Sequence, residues 1–161
     1  MARRIVILGR AGSGKTTLAR QLGERMRAPV ICLDAIWAAL NPKEDIPTFR
    51  ALMQTLHTGE TWISDGNFAA VTFDIRLPGA DLIVWLDPPM LACAGRAVAR
   101  VFRRGETHKI SKLAEVLAFI WNFDRVNRPR IEAGRIAHGP DIPVLRLASE
   151  SEISAFVEAS A

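Results

Sequence analysis

A chain of 161 residues has the length of one domain and can bury a full core, and its 49% hydrophobic and 24% charged residues are those of an ordinary globular protein. No apolar run approaches the roughly 20 residues that span a bilayer, and the apolar run behind the basic start covers only residues 5–8, too short for a secretory leader. The two cysteines, Cys32 and Cys93, lie far apart with no metal or redox spacing, which fits small buried side chains in a reducing, cytoplasmic protein without a membrane partner.

The formal net charge of +4 is unevenly spread. Residues 96–135 hold ten Lys or Arg against four Asp or Glu, a local excess of six positive charges, while the remainder is slightly acidic. An anionic partner docked against this segment is expected, either nucleotide phosphates or nucleic acid.

In chain order, residues 4–8 (RIVIL) read as a buried strand, and Leu18, Leu22 and Met26 at four-residue spacing read as a helix that Pro29 closes. A second strand covers residues 30–33, and Pro47 and Gly59 bracket another helix. Strands follow at 61–64, 81–86 (DLIVWL) and 144–147. Ser149 and Glu152 have capping-box spacing before a last helix. Strands alternating with helices predict an α/β fold, a mainly parallel sheet covered on both faces, with ligands bound at the carboxyl ends of the strands.

Behind the first strand stands GRAGSGKT, residues 9–16, a full match to G-x-x-x-x-G-K-[ST] in the required strand–loop–helix context. Its glycines let successive backbone N–H groups face phosphates, and the following helix adds its positive end. Lys15 is placed to reach the β- and γ-phosphates and Thr16 to ligate Mg²⁺. The expected nucleotide contacts are Gly9, Arg10, Ala11, Gly12, Ser13, Gly14, Lys15, Thr16 and Thr17, with ATP and Mg²⁺ as cofactors.

Three other strand ends carry an aspartate. Asp87, followed by two prolines, reads as a helix N-cap. Asp34 is either a cap or a site residue. Asp65, in TWISDGNF, reads either as a turn former with Gly66 or as a carboxylate that meets Mg²⁺ through water; no convincing helix follows it.

On a helix over residues 89–104, Arg96, Arg100 and Arg103 share one face, with Leu91, Gly95, Val98 and Phe102 roughly opposite. Leu113, Val116, Leu117, Ile120 and Trp121 form the apolar face of the next helix. The same period continues to Asp124 and Arg128 before Pro129, and Arg130 lies just beyond. Two helices bringing arginines into one cleft would suit a transferring phosphoryl group.

The order GRAGSGKTTLA, VICLDAIW, WISDGNF, RLPGADLIVWLD, LxxxxRxxxR and FIWNF with a following RPR resembles the adenylate-kinase-like group of small P-loop kinases often labelled DNA topology modulation proteins. The resemblance runs from about residue 3 to 130. It implies the nucleoside-monophosphate-kinase fold, a three-layer P-loop NTPase domain with a five-stranded parallel sheet and a short helical lid at about 103–130. It also implies phosphate and Mg²⁺ roles for Lys15 and Thr16, a Mg²⁺ role for Asp65, and lid-flanking phosphate contacts for Arg96, Arg100 and Arg104. Adenylate kinases proper follow the same Asp-Gly with Phe-Pro-Arg, where this chain has Asn67, Phe68 and Ala69. The acceptor is therefore left open, with Asp34, Asn67, Arg76 and Arg128 as candidate contacts. The expected activity is transfer of the ATP γ-phosphoryl group to a small acceptor, a nucleoside monophosphate or a non-nucleotide. An ATP-regulated nucleic-acid-binding protein is the less favoured reading, because no aromatic stacking platform or recognition helix is visible.

Overall fold

The computed structural model of the chain describes residues 2–40, 46–103 and 110–160. Its elements run β1 (Arg4–Gly9), α1 (Lys15–Met26), β2 (Val30–Cys32), α2 (Leu33–Ala39), α3 (Ile46–Leu56), β3 (Trp62–Asp65), α4 (Ala69–Arg76), β4 (Leu82–Leu86), α5 (Met90–Arg103), α6 (Ile110–Asn122), α7 (Arg128–His138), β5 (Val144–Leu147) and α8 (Glu150–Ala159). A π-helical turn, Phe123–Asn127, joins α6 to α7.

The five strands form one parallel sheet in the order β2-β3-β1-β4-β5. Period-two alternation sends neighbouring residues to opposite faces, so each strand feeds two cores. Val6, Leu8, Trp62, Ile83 and Trp85 face Phe49, Phe73, Phe123 and Ile131, from α3, α4, the π turn and α7. Ile5, Ile7, Ile63, Val84 and Leu86 face Leu18 and Leu22 of α1, with Ile153 and Phe156 of α8 packed alongside. The result is a three-layer α/β sandwich. Register then aligns the functional strand ends: Asp65 pairs with Ile7 on one side and Cys32 on the other, while Gly9 pairs with Leu86. Among the described residues no helix is long and apolar enough to cross a membrane.

Four local expectations change. A helix, α4, does follow Asp65: Phe68 precedes it in a left-handed conformation (φ 37°), and its inner face is Thr72, Phe73 and Arg76, so a buried arginine broke the apolar pattern. On α5 the buried stripe is Cys93 and Ala97, small residues under α6, whereas Leu91 is 77% exposed. Among the described residues of α6 only Ile120 is fully buried, and Trp121 is 70% exposed. The helix rests chiefly on α5, and position 121 lies about 100° around the axis from 120, outside that narrow contact. Finally, Pro129 stands in the first turn of α7 rather than closing the preceding helix.

Candidate active site

The loop between β1 and α1 wraps tightly because its glycines occupy space no side chain could share. Gly9 has φ 146° and Gly12 φ 75°; a Cβ would lie 2.5 Å from the Leu86 carbonyl oxygen at the first and 2.3 Å from that of Cys93 at the second. The loop is thereby seated on the end of β4 and the start of α5. Lys15 Nζ donates to the Arg10 carbonyl at 3.1 Å. Burial lowers the Lys15 pKa, the charges of Asp65 and Asp34 oppose that, and Arg100 adds to it.

At the first turn of α1, Thr16 Oγ1 donates to Asp65 Oδ2 at 2.6 Å. Asp65 is fully buried, and its other oxygen, Oδ1, has no hydrogen-bond partner among the described residues. A hydroxyl and a carboxylate with a spare oxygen, one turn past the phosphate loop, are hard donors that fit Mg²⁺. That ion keeps waters and takes substrate phosphates rather than requiring an all-protein cage. Among the described residues no cluster of three His, Cys, Asp or Glu forms such a cage. The Cys32 thiol approaches the same Asp65 oxygen at 3.6 Å.

The residues after Asp65 are braced from two directions. Asn67 Oδ1 accepts from the Gly9 N–H at 3.1 Å, and its Nδ2 donates to the Gly9 carbonyl at 2.9 Å, the pairing a neighbouring strand would make. Arg76 donates to the Gly66 and Asn67 carbonyls at 3.0 and 2.6 Å and to Ser64 Oγ at 3.1 Å, with its guanidinium over Phe73. Arg76 has no exposed surface, and burial lowers its pKa to about 9. It is walled off from any acceptor, so the expected substrate contact is corrected to a support for this turn. Behind it, Ser64 Oγ pairs with His57 Nε2 at 2.9 Å, and His57 Nδ1 meets the Met53 carbonyl at 2.7 Å. Burial lowers the His57 pKa to about 4, so the ring is neutral, donating through Nδ1 and accepting through Nε2.

A cavity of about 530 Å³ opens in front of the loop. Gly12 and residues 14–17 line one wall, and Asp34, Asn67 and residues 68–71 line the other. Arg100, Phe119, Asn127, Arg130 and Ile131 close the remaining side. Asp34 sits in the first turn of α2; burial raises its pKa, Lys15 pulls it down and Asp65 pushes it up.

The predicted arginines separate. Arg100 reaches the cavity, whereas Arg96 is paired with Glu150 at 2.9 Å and does not line it. Arg104 lies outside the described residues. Arg128 also stays out of the cavity lining. It donates to both oxygens of Asp87 and to Asp124, and its guanidinium lies over Trp85. The guanidinium expected to meet substrate is thus held in an ion-pair network, and the Asp87 carboxylate, expected to cap a helix, pairs with it. Sequence reasoning placed Arg130 beside a cleft without assigning it a contact, and missed Asn127, Phe119, Ile131 and residues 70–71. The usable signal for Arg130 and Ile131 was Pro129, which starts a helix as readily as it ends one.

No protein-family model matches the chain, and no curated protein sequence does. Solved structures match its fold. A shikimate kinase from Bacteroides thetaiotaomicron is 18% identical with a TM-score of 0.61, over 99% of this chain and 96% of that one. A shikimate kinase from Acinetobacter baumannii in complex with shikimate is 13% identical, TM-score 0.59, over 98% and 89%. A gluconokinase from Sinorhizobium meliloti is 16% identical, TM-score 0.56, again over 98% and 89%. The chain therefore has the fold of the small P-loop kinases.

Proposed function

We propose that the protein is an ATP-dependent kinase that transfers the γ-phosphoryl group to a hydroxyl of a small acceptor. One observation carries the reading: a single cavity is lined both by the phosphate loop and by Asp34, a carboxylate at the start of α2 whose pKa is raised by desolvation. Lys15 would exchange the Arg10 carbonyl for phosphate oxygens, and Thr16 with Asp65 would hold Mg²⁺. When bound, Mg²⁺ supplies neutralisation of phosphate charge. Arg100 and Arg130, which have no acidic partner among the described residues, face the cavity and would offset charge spreading over the transferring oxygens. Asp34 would orient the acceptor hydroxyl and take up its proton, a task helped by a raised pKa. The segment from about 103 to 130, of which residues 104–109 lie outside the described ones, would serve as the lid.

A non-nucleotide acceptor is favoured over a nucleoside monophosphate. Residues 68–71 bring no cation to the acceptor wall, and Arg76 is committed to backbone carbonyls. The solved kinases of similar fold with the higher TM-scores carry the names of shikimate and gluconate, small hydroxy acids. Nucleic-acid binding is less favoured because the basic segment spends Arg96, Arg128 and Arg135 on Glu150, Asp87 and Glu132. The free thiols Cys32 and Cys93 fit a cytoplasmic setting.

A coupled ADP-release assay across hydroxy acids, sugars, nucleosides and nucleoside monophosphates tests the reading. Stimulation by a hydroxylated non-nucleotide, lost in Lys15→Ala, is expected. Full phosphotransfer by Lys15→Ala, or ADP release that no acceptor stimulates, would overturn it.

A further inference from the structure

Arg10 occupies a position of the phosphate loop where the sequence pattern specifies no side chain, yet it is only 4% exposed. Its Nη2 donates to both oxygens of Asp124 at 2.8 Å, Asp87 lies at 3.8 Å, and the guanidinium sits over the Phe123 ring, 5.5 Å from its centre. Asp124 also accepts from Arg128 Nε at 2.8 Å, and Arg128 is held by Asp87. Two cations and two anions thus join the phosphate loop, the end of β4 and the π turn. Burial alone would raise the Asp124 pKa; the hydrogen bonds from Arg128 and Arg10 hold it below the usual range.

This network has two outlets. Toward the nucleotide, the Arg10 carbonyl accepts from Lys15 Nζ at 3.1 Å and from the Ser13 N–H at 3.3 Å. Toward the acceptor, the same turn leads within a few residues to Asn127, Arg130 and Ile131 in the cavity wall. The π turn arises where the Arg128 N–H reaches back to the Phe123 carbonyl, just before Pro129, which brings no N–H and crowds the preceding turn. A helix one residue wider at this point lets Asp124 meet Arg10 while Asn127 meets the cavity. Arg10 is not replaceable by solvent contacts: a buried guanidinium stripped of its carboxylate is strongly unfavourable.

We propose that Asp124 is a positioning residue, whose ion pair with Arg10 sets the shape of the phosphate loop and the place of Lys15 from the helical segment that carries Asn127 and Arg130. The inference rests on the kinase reading above, and it makes nucleotide affinity depend on a residue that touches no nucleotide.

The test is equilibrium titration of the full chain with Mg²⁺ and the non-hydrolysable analogue AMP-PNP, alongside thermal unfolding of each protein. Asp124→Asn and Arg10→Met are each expected to weaken binding by roughly tenfold, and the double variant by no more than either alone, because paired residues act as a unit. Asp124→Glu, which keeps the charge, is expected to recover most of the affinity. A purely structural pair would lower the unfolding midpoint and leave the affinity of the folded protein unchanged, and that result overturns the proposal. A roughly hundredfold, additive loss in the double variant overturns it as well. Should Asp124→Asn not fold, Arg10→Met leaves no unpaired buried cation, and wild-type affinity in that variant is equally decisive. Wild-type protein that binds no Mg²⁺-AMP-PNP overturns the kinase reading and this inference together, whereas wild-type binding with unchanged variants overturns the inference alone.

Discussion

Replacing Asn67 by alanine isolates the link between the third strand and the phosphate loop. The side-chain amide makes two hydrogen bonds to Gly9, at 3.1 and 2.9 Å, in a partly buried position. Each such bond contributes about 1 kcal/mol net, and the truncation also leaves the Gly9 N–H and carbonyl without their partner, so a loss of about 2–3 kcal/mol is expected. In a chain of this size about 1 kcal/mol shifts the midpoint by roughly 2–4 °C, so the fall should be about 5–10 °C. Differential scanning calorimetry reads it directly. Asn67→Asp sharpens the test. It keeps an acceptor for the Gly9 N–H but turns a charged oxygen toward the Gly9 carbonyl, so at neutral pH it should cost at least as much as alanine. Relative to wild type at the same pH, the aspartate variant should recover as acid protonates it and restores a donor. A midpoint within about 2 °C of wild type for Asn67→Ala would refute the brace, since two bonds of that worth cannot vanish silently.

Two further outcomes follow from neighbouring groups. Asp65→Asn should reduce the Mg²⁺-dependent rate more than ATP affinity; equal loss of both, or of neither, assigns the carboxylate a structural role. His57, lowered from 6.5 to about 4 by burial, should make stability pH-dependent. Between those values the unfolded chain binds a proton that the folded chain refuses, so stability is full above about pH 6.5 and falls as pH drops toward 4. The slope is at most about 1.4 kcal/mol per pH unit. Denaturant midpoints from pH 7 to 4 should show the fall, and His57→Gln should remove its share; an unchanged slope in that variant sinks the assignment.

The sheet was legible in the sequence because its three central strands, β1, β3 and β4, are short apolar runs buried on both faces, and the loop after the first is specified by backbone geometry that glycines allow. Thr16 and Asp65 were legible for the same reason, since both sit where a strand or helix terminus fixes them. The arginines were not. A helical wheel places Arg96 and Arg100 on one face, but only the position of Glu150, 54 residues on, decides that one is held at the surface while the other reaches the cavity. Asn67 does line the cavity, but its pairing with Gly9 and the bonds of Arg76 to the Gly66 and Asn67 carbonyls were not legible, because hydrogen bonds to backbone leave no signature in residue type. The π turn was invisible for a related reason: periodicity counted at 3.6 residues per turn carries straight through a one-residue widening, so Asn127 was missed.

The strand order also bears on how the chain acquires its site. β1 lies in the middle of the sheet, between partners that come much later in the sequence, and its phosphate loop is braced by Asn67 and by Asp124, 58 and 114 residues away from the loop residues they hold. Such long-range closure is slow and is completed late, during synthesis as well as in refolding. A nascent chain carries the whole G-x-x-x-x-G-K-[ST] segment from the start of its synthesis, yet lacks the last of its braces until the π turn has emerged. Nucleotide would then select for finished molecules: partly made or misfolded chains would display the motif without binding, and ATP would stabilise only those in which the last brace has closed.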